Sequence, residues 1–227
     1  MKFNVLVASL LLVYSTSNAQ LLGKIGADRF VFRVSSNKAL YYGQPGNEIV
    51  GTPYLEDNFI FGSVSIDKGT HADIPLRYNI YDDKVEFKQK EVIYELDPDV
   101  RIKKIIFGGH ILTVEKFEYK WKTQDGYLIL LDSGKLTLLS KKVVSFKERQ
   151  EPRAMESTIT PAKFSRLSDV FYYKVGNGKL QKLESIKAMI GTLPDKQKEV
   201  SEFAKKEKIS PKKETELIKL VKYYNSL

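Results

Sequence analysis

Apolar and polar residues alternate along much of the chain, and the clearest alternation runs through residues 74–89. A spacing of two is that of a half-buried β-strand. The apolar members of the first arm are Ile74, Leu76, Tyr78 and Ile80. Asp82 and Asp83 can form a two-residue turn, because short carboxylate side chains tolerate left-handed backbone. The sequence therefore predicts a β-hairpin in which Ile80 pairs with Val85 and Tyr78 pairs with Phe87.

Similar alternation elsewhere predicts further antiparallel strands, joined by turns at Gly108-Gly109, Ser133-Gly134 and Gly176-Asn177-Gly178. These strands cover residues 58–66, 91–96, 103–107, 111–121, 127–131, 135–144, 170–175 and 179–183. In the hairpin around Ser133, a two-residue turn pairs Leu131 with Leu136. Apolar residues on both faces predict that this hairpin is covered on both sides.

The C-terminal part changes to a helical period. Apolar stripes predict amphipathic helices around residues 183–190, 194–208 and 211–224. These helices are expected to dock on the sheet or on one another, and a membrane surface is the alternative. The fold class that follows is α+β and mainly antiparallel β. It is a curved sheet, an open barrel or a sandwich, of about ten strands with two to three C-terminal helices.

The N-terminus has the order of an export signal. Lys2 precedes an apolar run at residues 5–14, and Ser17-Asn18-Ala19 is a small-residue cleavage site that would leave Gln20 first. The predicted division is a signal peptide at 1–19, an antiparallel β domain at 20–146, a polar loop or linker at 147–163, and a β-hairpin with a helical segment at 164–227. The protein is expected in the periplasm, at the cell surface or secreted. No later stretch reaches the roughly 18 apolar residues of a transmembrane helix.

The amino-acid composition excludes several kinds of chemical site and limits the kinds of partner. The chain of 227 residues contains no cysteine, which excludes disulfides, zinc–thiolate sites and cysteine nucleophiles. Its formal charge of +9 suits an envelope protein, a glycan or an anionic lipid as partner. The predicted export signal argues against nucleic acid as the partner of this basic chain. Acidic residues are interspersed with the basic ones, so the alternative to a specific anionic partner is a basic surface that keeps the protein in solution.

No catalytic constellation is evident. The two histidines, His71 and His110, fall in separate predicted turns, and neither a G-x-S-x-G nor an H-E-x-x-H motif occurs. No catalytic, cofactor-binding or metal-ligating residue is assigned, and no cofactor is expected. A hydrolase that uses paired carboxylates stays open as an alternative. The available pairs are Glu56-Asp57, Asp82-Asp83 and Glu115 with Glu118.

The candidate contact surface is the polar face of the first hairpin, with Arg77, Asn79 and Tyr81, together with Tyr41 and Tyr42 beside a glycine-containing loop. Exposed tyrosines can stack on sugars, although such side chains also occur as ordinary sheet surface or core.

Several stretches resemble a broad set of uncharacterised exported proteins of Bacteroidota-type bacteria. They are the Ala19-Gln20 cleavage site, residues 53–62, residues 76–83 with Val85-Glu86-Phe87, and the ending at 220–225. The resemblance implies an envelope setting and a mainly β fold with a helical tail. It carries over no catalytic or ligand-binding residue.

The predicted function is that of an exported, non-catalytic envelope protein with a binding or scaffolding role. The other alternative is a periplasmic carrier of a lipid or apolar ligand. That alternative predicts a continuous cavity lined by Phe117, Tyr119 and Ile129.

Overall fold

The computed structural model describes residues 49–90, 92–96, 101–151 and 159–227, and the backbone of short strands at 24–25, 28–29 and 32–34. The predicted signal peptide at 1–19, the cleavage site before Gln20, and Tyr41 and Tyr42 lie outside the described residues.

Strands account for most of the regular structure. Their bounds are β1 (Lys24–Ile25), β2 (Asp28–Arg29), β3 (Phe32–Val34), β4 (Ile49–Val50), β5 (Ile60–Ile66), β6 (Gly69–Asn79), β7 (Lys84–Gln89), β8 (Val92–Leu96), β9 (Ile102–Phe107), β10 (His110–Tyr119), β11 (Lys122–Asp132), β12 (Leu136–Lys141), β13 (Val144–Lys147), β14 (Ala162–Arg166), β15 (Val170–Val175) and β16 (Gln181–Lys182). Three helices follow them: α1 (Ile186–Gly191), α2 (Gln197–Lys206) and α3 (Glu214–Ser226).

Eleven strands form one antiparallel sheet in the order β16-β15-β12-β11-β10-β9-β5-β6-β7-β8-β3, and the sheet curls into a half-barrel. Strands β13, β14 and β4 form a smaller sheet, and β1 pairs with β2. The predicted class, a mainly antiparallel α+β fold with a curved sheet and C-terminal helices, is confirmed.

The hairpin predicted at residues 74–89 is present, but its predicted pairing is wrong by two residues. Tyr78 lies opposite Val85, where Phe87 was expected. The turn is larger because the Asn79 side chain accepts a hydrogen bond from the backbone N–H of Asp82 at 3.1 Å. Asp83 then takes the left-handed conformation, with φ of 54°. A slip of two residues keeps every side chain on its predicted face.

The pairing predicted for β11 with β12 is also wrong. Leu130 lies opposite Leu139 and Asp132 opposite Leu138, so Leu131 forms a bulge. An extra residue in one strand bends it and shifts its pairing. The predicted cover on both faces is confirmed, since all six residues of β12 are buried.

The largest core covers one face of β5–β11. Its centre is completely buried and includes Leu76, Val85, Ile105 and Leu112. Val144 of β13 and Phe164 of β14 belong to the same cluster, so the small sheet packs against the half-barrel.

The predicted linker at 147–163 has β13 at one end and β14 at the other. Beyond it, β15 pairs with β12 along its full length, so the main sheet continues on both sides of this segment. The division into domains stays a prediction.

The helices pack on β12 and β15, where Leu138, Phe171 and Tyr173 meet Leu217 and Leu220 of α3. The third helix begins later than predicted from Ser210-Pro211. The Ser210 backbone N–H donates to the Glu216 side chain at 2.7 Å, and a turn separates Pro211 from the helix.

Asn225 attaches the end of α3 to the turn between β11 and β12. Its side chain accepts from the Leu136 N–H at 2.8 Å and donates to the Leu136 carbonyl at 2.9 Å. Asn225→Ala should lower the free energy of unfolding by about 2 to 3 kcal/mol, because both backbone groups of buried Leu136 lose their partner. Urea unfolding measures the change. Ser226→Ala, at the next and exposed position, should change stability by less than about 0.5 kcal/mol. Equal losses of stability in Asn225→Ala and Ser226→Ala would show that Asn225 does not attach α3 to this turn.

Lys142 connects the start of α3 to the sheet through Glu214 at 2.6 Å and Asp169 at 2.7 Å. Burial alone lowers the pKa of Lys142, but the hydrogen bonds to the two carboxylates outweigh it and raise the pKa above 10.5. Because the folded protein holds this proton more tightly, the stabilisation is complete below the unfolded pKa of about 10.4 and is lost as the pH rises through the folded pKa.

Lys142→Gln should therefore lower the free energy of unfolding by about 2 kcal/mol at pH 7. The difference from the unsubstituted protein should narrow as the pH rises above about 10.5. Urea unfolding at a series of pH values measures this. Lys219→Gln, which breaks a more exposed pair with Glu207, should cost less than about 1 kcal/mol. A difference that stays constant with pH would show that the charge of Lys142 is not the cause.

Candidate functional site

The site begins at the tight turn between β10 and β11. Tyr119 pairs with Lys122, which leaves Lys120 and Trp121 as a two-residue turn. Both have left-handed backbone, with φ of 48° and 66°. Turns of this kind match the twist of the flanking strands but favour asparagine and glycine at these positions. A lysine and a tryptophan there carry backbone strain.

Trp121 is the only tryptophan of the chain, and its side chain is 94% exposed. The strain of the turn is therefore not offset by burial of the indole ring. An exposed, strained aromatic residue is a feature that the fold does not need.

Behind this turn lies a small aromatic cluster that is separate from the two larger cores. It consists of Phe117, Leu128, Leu139 and Tyr172, with Tyr119, Val170 and Leu180 packed against it. The cluster is on the sheet face opposite the helices, because side chains alternate along a strand and the neighbouring Phe171 and Tyr173 face the helices.

An open groove of about 1020 Å³ runs over this cluster. It forms because β10 contacts β16 although three strands stand between them in the sheet order, so the sheet curls around its own face. Its size is at the upper end of ligand sites, roughly 300 to 1,000 Å³. The lining consists of Lys116, Phe117, Glu118, Tyr119, Lys120, Trp121, Thr123, Val170, Tyr172, Lys179, Leu180, Gln181, Lys182 and Glu184. We call this surface the aromatic groove.

Four lysines and two glutamates line the aromatic groove, which leaves it net positive. Lys182 pairs with Glu184 at 2.8 Å. In the part of the chain that the structure describes, Lys116, Lys120 and Lys179 have no carboxylate partner. The Lys120 ammonium lies 5.3 Å from the centre of the Tyr119 ring.

The floor is closely packed, and Tyr172 in it stays uncharged. The Tyr172 hydroxyl donates to the Glu118 carbonyl oxygen at 2.8 Å, and its ring packs edge-on against Phe117 at 5.3 Å. Burial raises the pKa of Tyr172 well above its usual value, and neighbouring Tyr119, Glu118 and Glu184 add to this. Tyr172 therefore keeps its proton at neutral pH and holds the floor in place.

The predicted contact residues of the first hairpin, Arg77, Asn79 and Tyr81, do not line the aromatic groove. Arg77 is 12% exposed, lies 3.6 Å from the centre of the Tyr54 ring, and donates to Glu86 at 2.6 Å. Asn79 is buried and holds the turn. Of the three, only Tyr81 is exposed, and its ring packs edge-on against Phe164 at 5.4 Å.

The residues predicted for a carrier cavity are divided between two faces. Phe117 and Tyr119 line the aromatic groove. Ile129 is buried in the main core on the other face.

One carboxylate of each pair considered for hydrolysis has another partner. Asp83 pairs with Lys141 at 2.5 Å, Glu115 pairs with Lys174 at 3.1 Å, and Glu56 lies 3.3 Å from His110. Within the described ranges, no group of three or more metal-ligating side chains comes together.

Trp121 is the residue that the sequence analysis did not single out. The alternation predicts a strand at residues 111–121 that includes Trp121, whereas β10 ends at Tyr119 and β11 begins at Lys122. A lone tryptophan between two lysines, placed between two alternating stretches, is the signal that could have identified it.

The fold and the groove together define an α+β protein with a curled antiparallel sheet and an open aromatic, basic surface. Comparison with protein-family models, with curated proteins and with solved structures finds no match for this chain. None of the helices in the described part has the length and apolar character required to cross a bilayer.

Proposed function

We propose that the protein is an exported, non-catalytic envelope protein that binds its partner through the aromatic groove. The observation that carries the binding role is Trp121, which is 94% exposed beside a groove with an aromatic floor. Tryptophan is enriched among the residues that contribute most to binding.

The energetics of the free protein support this role. Burial of a large apolar side chain contributes about 1.5 to 3 kcal/mol, which the exposed Trp121 does not supply. Its left-handed backbone adds a cost of roughly 1 to 3 kcal/mol. A partner that covers the ring would recover the first of these contributions.

The export part of the proposal rests on the order of charge, apolar run and small residues at 1–19. Fractionation of the native cells, with sequencing of the N-terminus of the isolated protein, tests it. We expect a chain that begins at Gln20 outside the cytoplasm. A cytoplasmic chain that retains Met1 would overturn this part.

Binding can be followed directly, because all tryptophan emission comes from Trp121. We expect the emission to shift to shorter wavelength when the purified protein is titrated with the envelope polymer that it binds. The panel consists of peptidoglycan fragments, lipopolysaccharide, and acidic and neutral oligosaccharides. Trp121→Ala should weaken that binding by about 2 kcal/mol, roughly 30-fold in Kd, as measured by calorimetry.

Phe61→Ala is the matched control, because Phe61 is an aromatic residue 71% exposed on β5 and outside the groove. It should bind as the unsubstituted protein does. Equal binding by Trp121→Ala, or no change in emission with any member of the panel, would overturn the binding role.

A carrier of an apolar ligand is the second candidate, because Phe117 and Tyr119 line the groove as that alternative requires. It predicts that delipidated protein takes up a fluorescent fatty acid. It also predicts that neutralising the lysines of the groove leaves this uptake unchanged, whereas the first proposal predicts no uptake.

A further inference from the structure

We propose that the aromatic groove binds an acidic oligosaccharide, with sugar rings against Trp121 and Tyr119 and the carboxylate or phosphate groups on the surrounding lysines. This inference rests on the proposed function, since it names the ligand class of the same site.

The aromatic part of the groove suits sugar rings. A pyranose ring presents C–H bonds on its face and hydroxyl groups at its edge. Stacking on an indole or phenol ring therefore buries apolar surface while the hydroxyl groups keep their hydrogen bonds. Trp121 offers its ring freely, and Tyr119 is half-buried on the same side of the sheet. The groove extends from this turn to β16, which gives room for more than one ring.

The charges in the groove suit a ligand that has both negative groups and hydroxyl groups. Lys116, Lys120 and Lys179 have no carboxylate partner among the described residues, so each can pair with an anionic group of the ligand. The carboxylates of Glu118 and Glu184 are exposed and accept hydrogen bonds only, which hydroxyl groups can donate. An acidic oligosaccharide carries both kinds of group along one chain.

Two other anionic partners fit these observations less well. A single-stranded DNA has no free hydroxyl groups on its sugars between the phosphates, so its backbone would bring phosphates to Glu118 and Glu184 without donating the hydrogen bonds that these carboxylates can accept. A bilayer surface can reach Trp121 at the tip of the turn, but a broad, flat surface does not fill a concave groove that extends to β16. Both serve as comparisons in the test.

The test is a titration of the purified protein, followed by Trp121 emission, with a hexamer of galacturonic acid. The same hexamer with every carboxylate methyl-esterified is the matched ligand, because it keeps the sugar rings and removes the charge. We expect the acidic hexamer to shift the emission to shorter wavelength and to bind at least tenfold more tightly than the ester. Its affinity should fall as salt is added, because exposed charge pairs are screened.

Charge-neutralising variants locate the contact. The double variant Lys120→Gln, Lys179→Gln should bind the acidic hexamer about tenfold more weakly and the ester unchanged. Lys205→Gln, at an exposed lysine of α2 outside the groove, should bind both as the unsubstituted protein does.

The outcomes separate this inference from the proposed function. Binding by Trp121→Ala, which has no tryptophan emission, is measured by calorimetry. If the ester binds as tightly as the acid and Trp121→Ala weakens both, the groove is a binding site but the acidic class is wrong. A response to a thymidine oligonucleotide or to phosphatidylglycerol vesicles without a response to the acidic hexamer would likewise overturn the ligand class. Failure of Trp121→Ala to affect the binding of any of these probes would overturn the proposed function itself.

Discussion

Lys141→Met is expected to destabilise the protein by about 3 to 5 kcal/mol, because it removes one partner of a buried ion pair. The Lys141 side chain is 5% exposed, and its ammonium lies 2.5 Å from the Asp83 carboxylate. It also donates to the Tyr78 hydroxyl at 3.1 Å and to the Tyr127 carbonyl oxygen at 3.3 Å. These contacts join the turn between β6 and β7 to β11 and β12.

The pKa directions agree with this arrangement. Burial lowers the pKa of Lys141, and Asp83 opposes that effect. Burial also raises the pKa of Tyr78, and its hydroxyl donates to Asp83 at 2.6 Å. Without Lys141, the Asp83 carboxylate would face this interior with tyrosine and backbone donors only.

Urea unfolding of single and double variants measures the effect. The double variant Lys141→Met, Asp83→Asn should be more stable than the sum of the two single changes implies, because the groups are in contact. Lys174→Met, which breaks the more exposed pair with Glu115, should cost less than about 1 kcal/mol. Additive single effects would show that Lys141 and Asp83 do not act as a pair.

Gly62→Ala should be the most damaging conservative change in the sheet, at about 3 kcal/mol or more. Gly62 lies in β5 between Ile74 of β6 and Phe107 of β9, next to a bulge. An added Cβ would overlap the Ile106 carbonyl oxygen and lie 2.7 Å from the Phe107 Cβ. These are atoms of the backbone and of a buried residue, so the strands themselves would have to separate.

Gly191→Ala provides the control, because an added Cβ at this end of α1 meets nothing within 4 Å. We expect it to be neutral or stabilising by up to about 1 kcal/mol, the difference in helix propensity. The measurement is the urea concentration at the midpoint of unfolding, compared between Gly62→Ala and Gly191→Ala. Similar midpoints would contradict the close strand approach at Gly62.

The two hairpins show why pairing was harder to predict than the sheet itself. Alternation in residues 74–80 correctly assigned which side chains face the core, since Leu76 and Tyr78 are buried. The same alternation is satisfied equally by pairings that differ by two residues. In the first hairpin, the choice between these pairings depends on the contact of Asn79 with Asp82. In the second hairpin it depends on a bulge at Leu131. Neither feature can be recognised from the alternation of apolar and polar residues.

The candidate site was even harder to predict from the local pattern of the sequence. Tyr119 and Leu180 are 61 positions apart in the sequence, yet both pack on one aromatic cluster. Their proximity results from the curl of the sheet, which brings β16 towards β10. Arg77, a predicted contact residue, is held within the fold, because Tyr54 and Glu86 enclose its side chain.

The sequence by itself therefore determined the class of the fold, the buried faces of the strands, and the helical tail with its apolar stripe. These depend on periodicity and on turn residues, which are local properties. The tertiary structure decided the strand pairing, the buried pair of Lys141 with Asp83, and the aromatic groove beside Trp121. These depend on contacts between distant segments, and such contacts are set by how the whole sheet twists and closes.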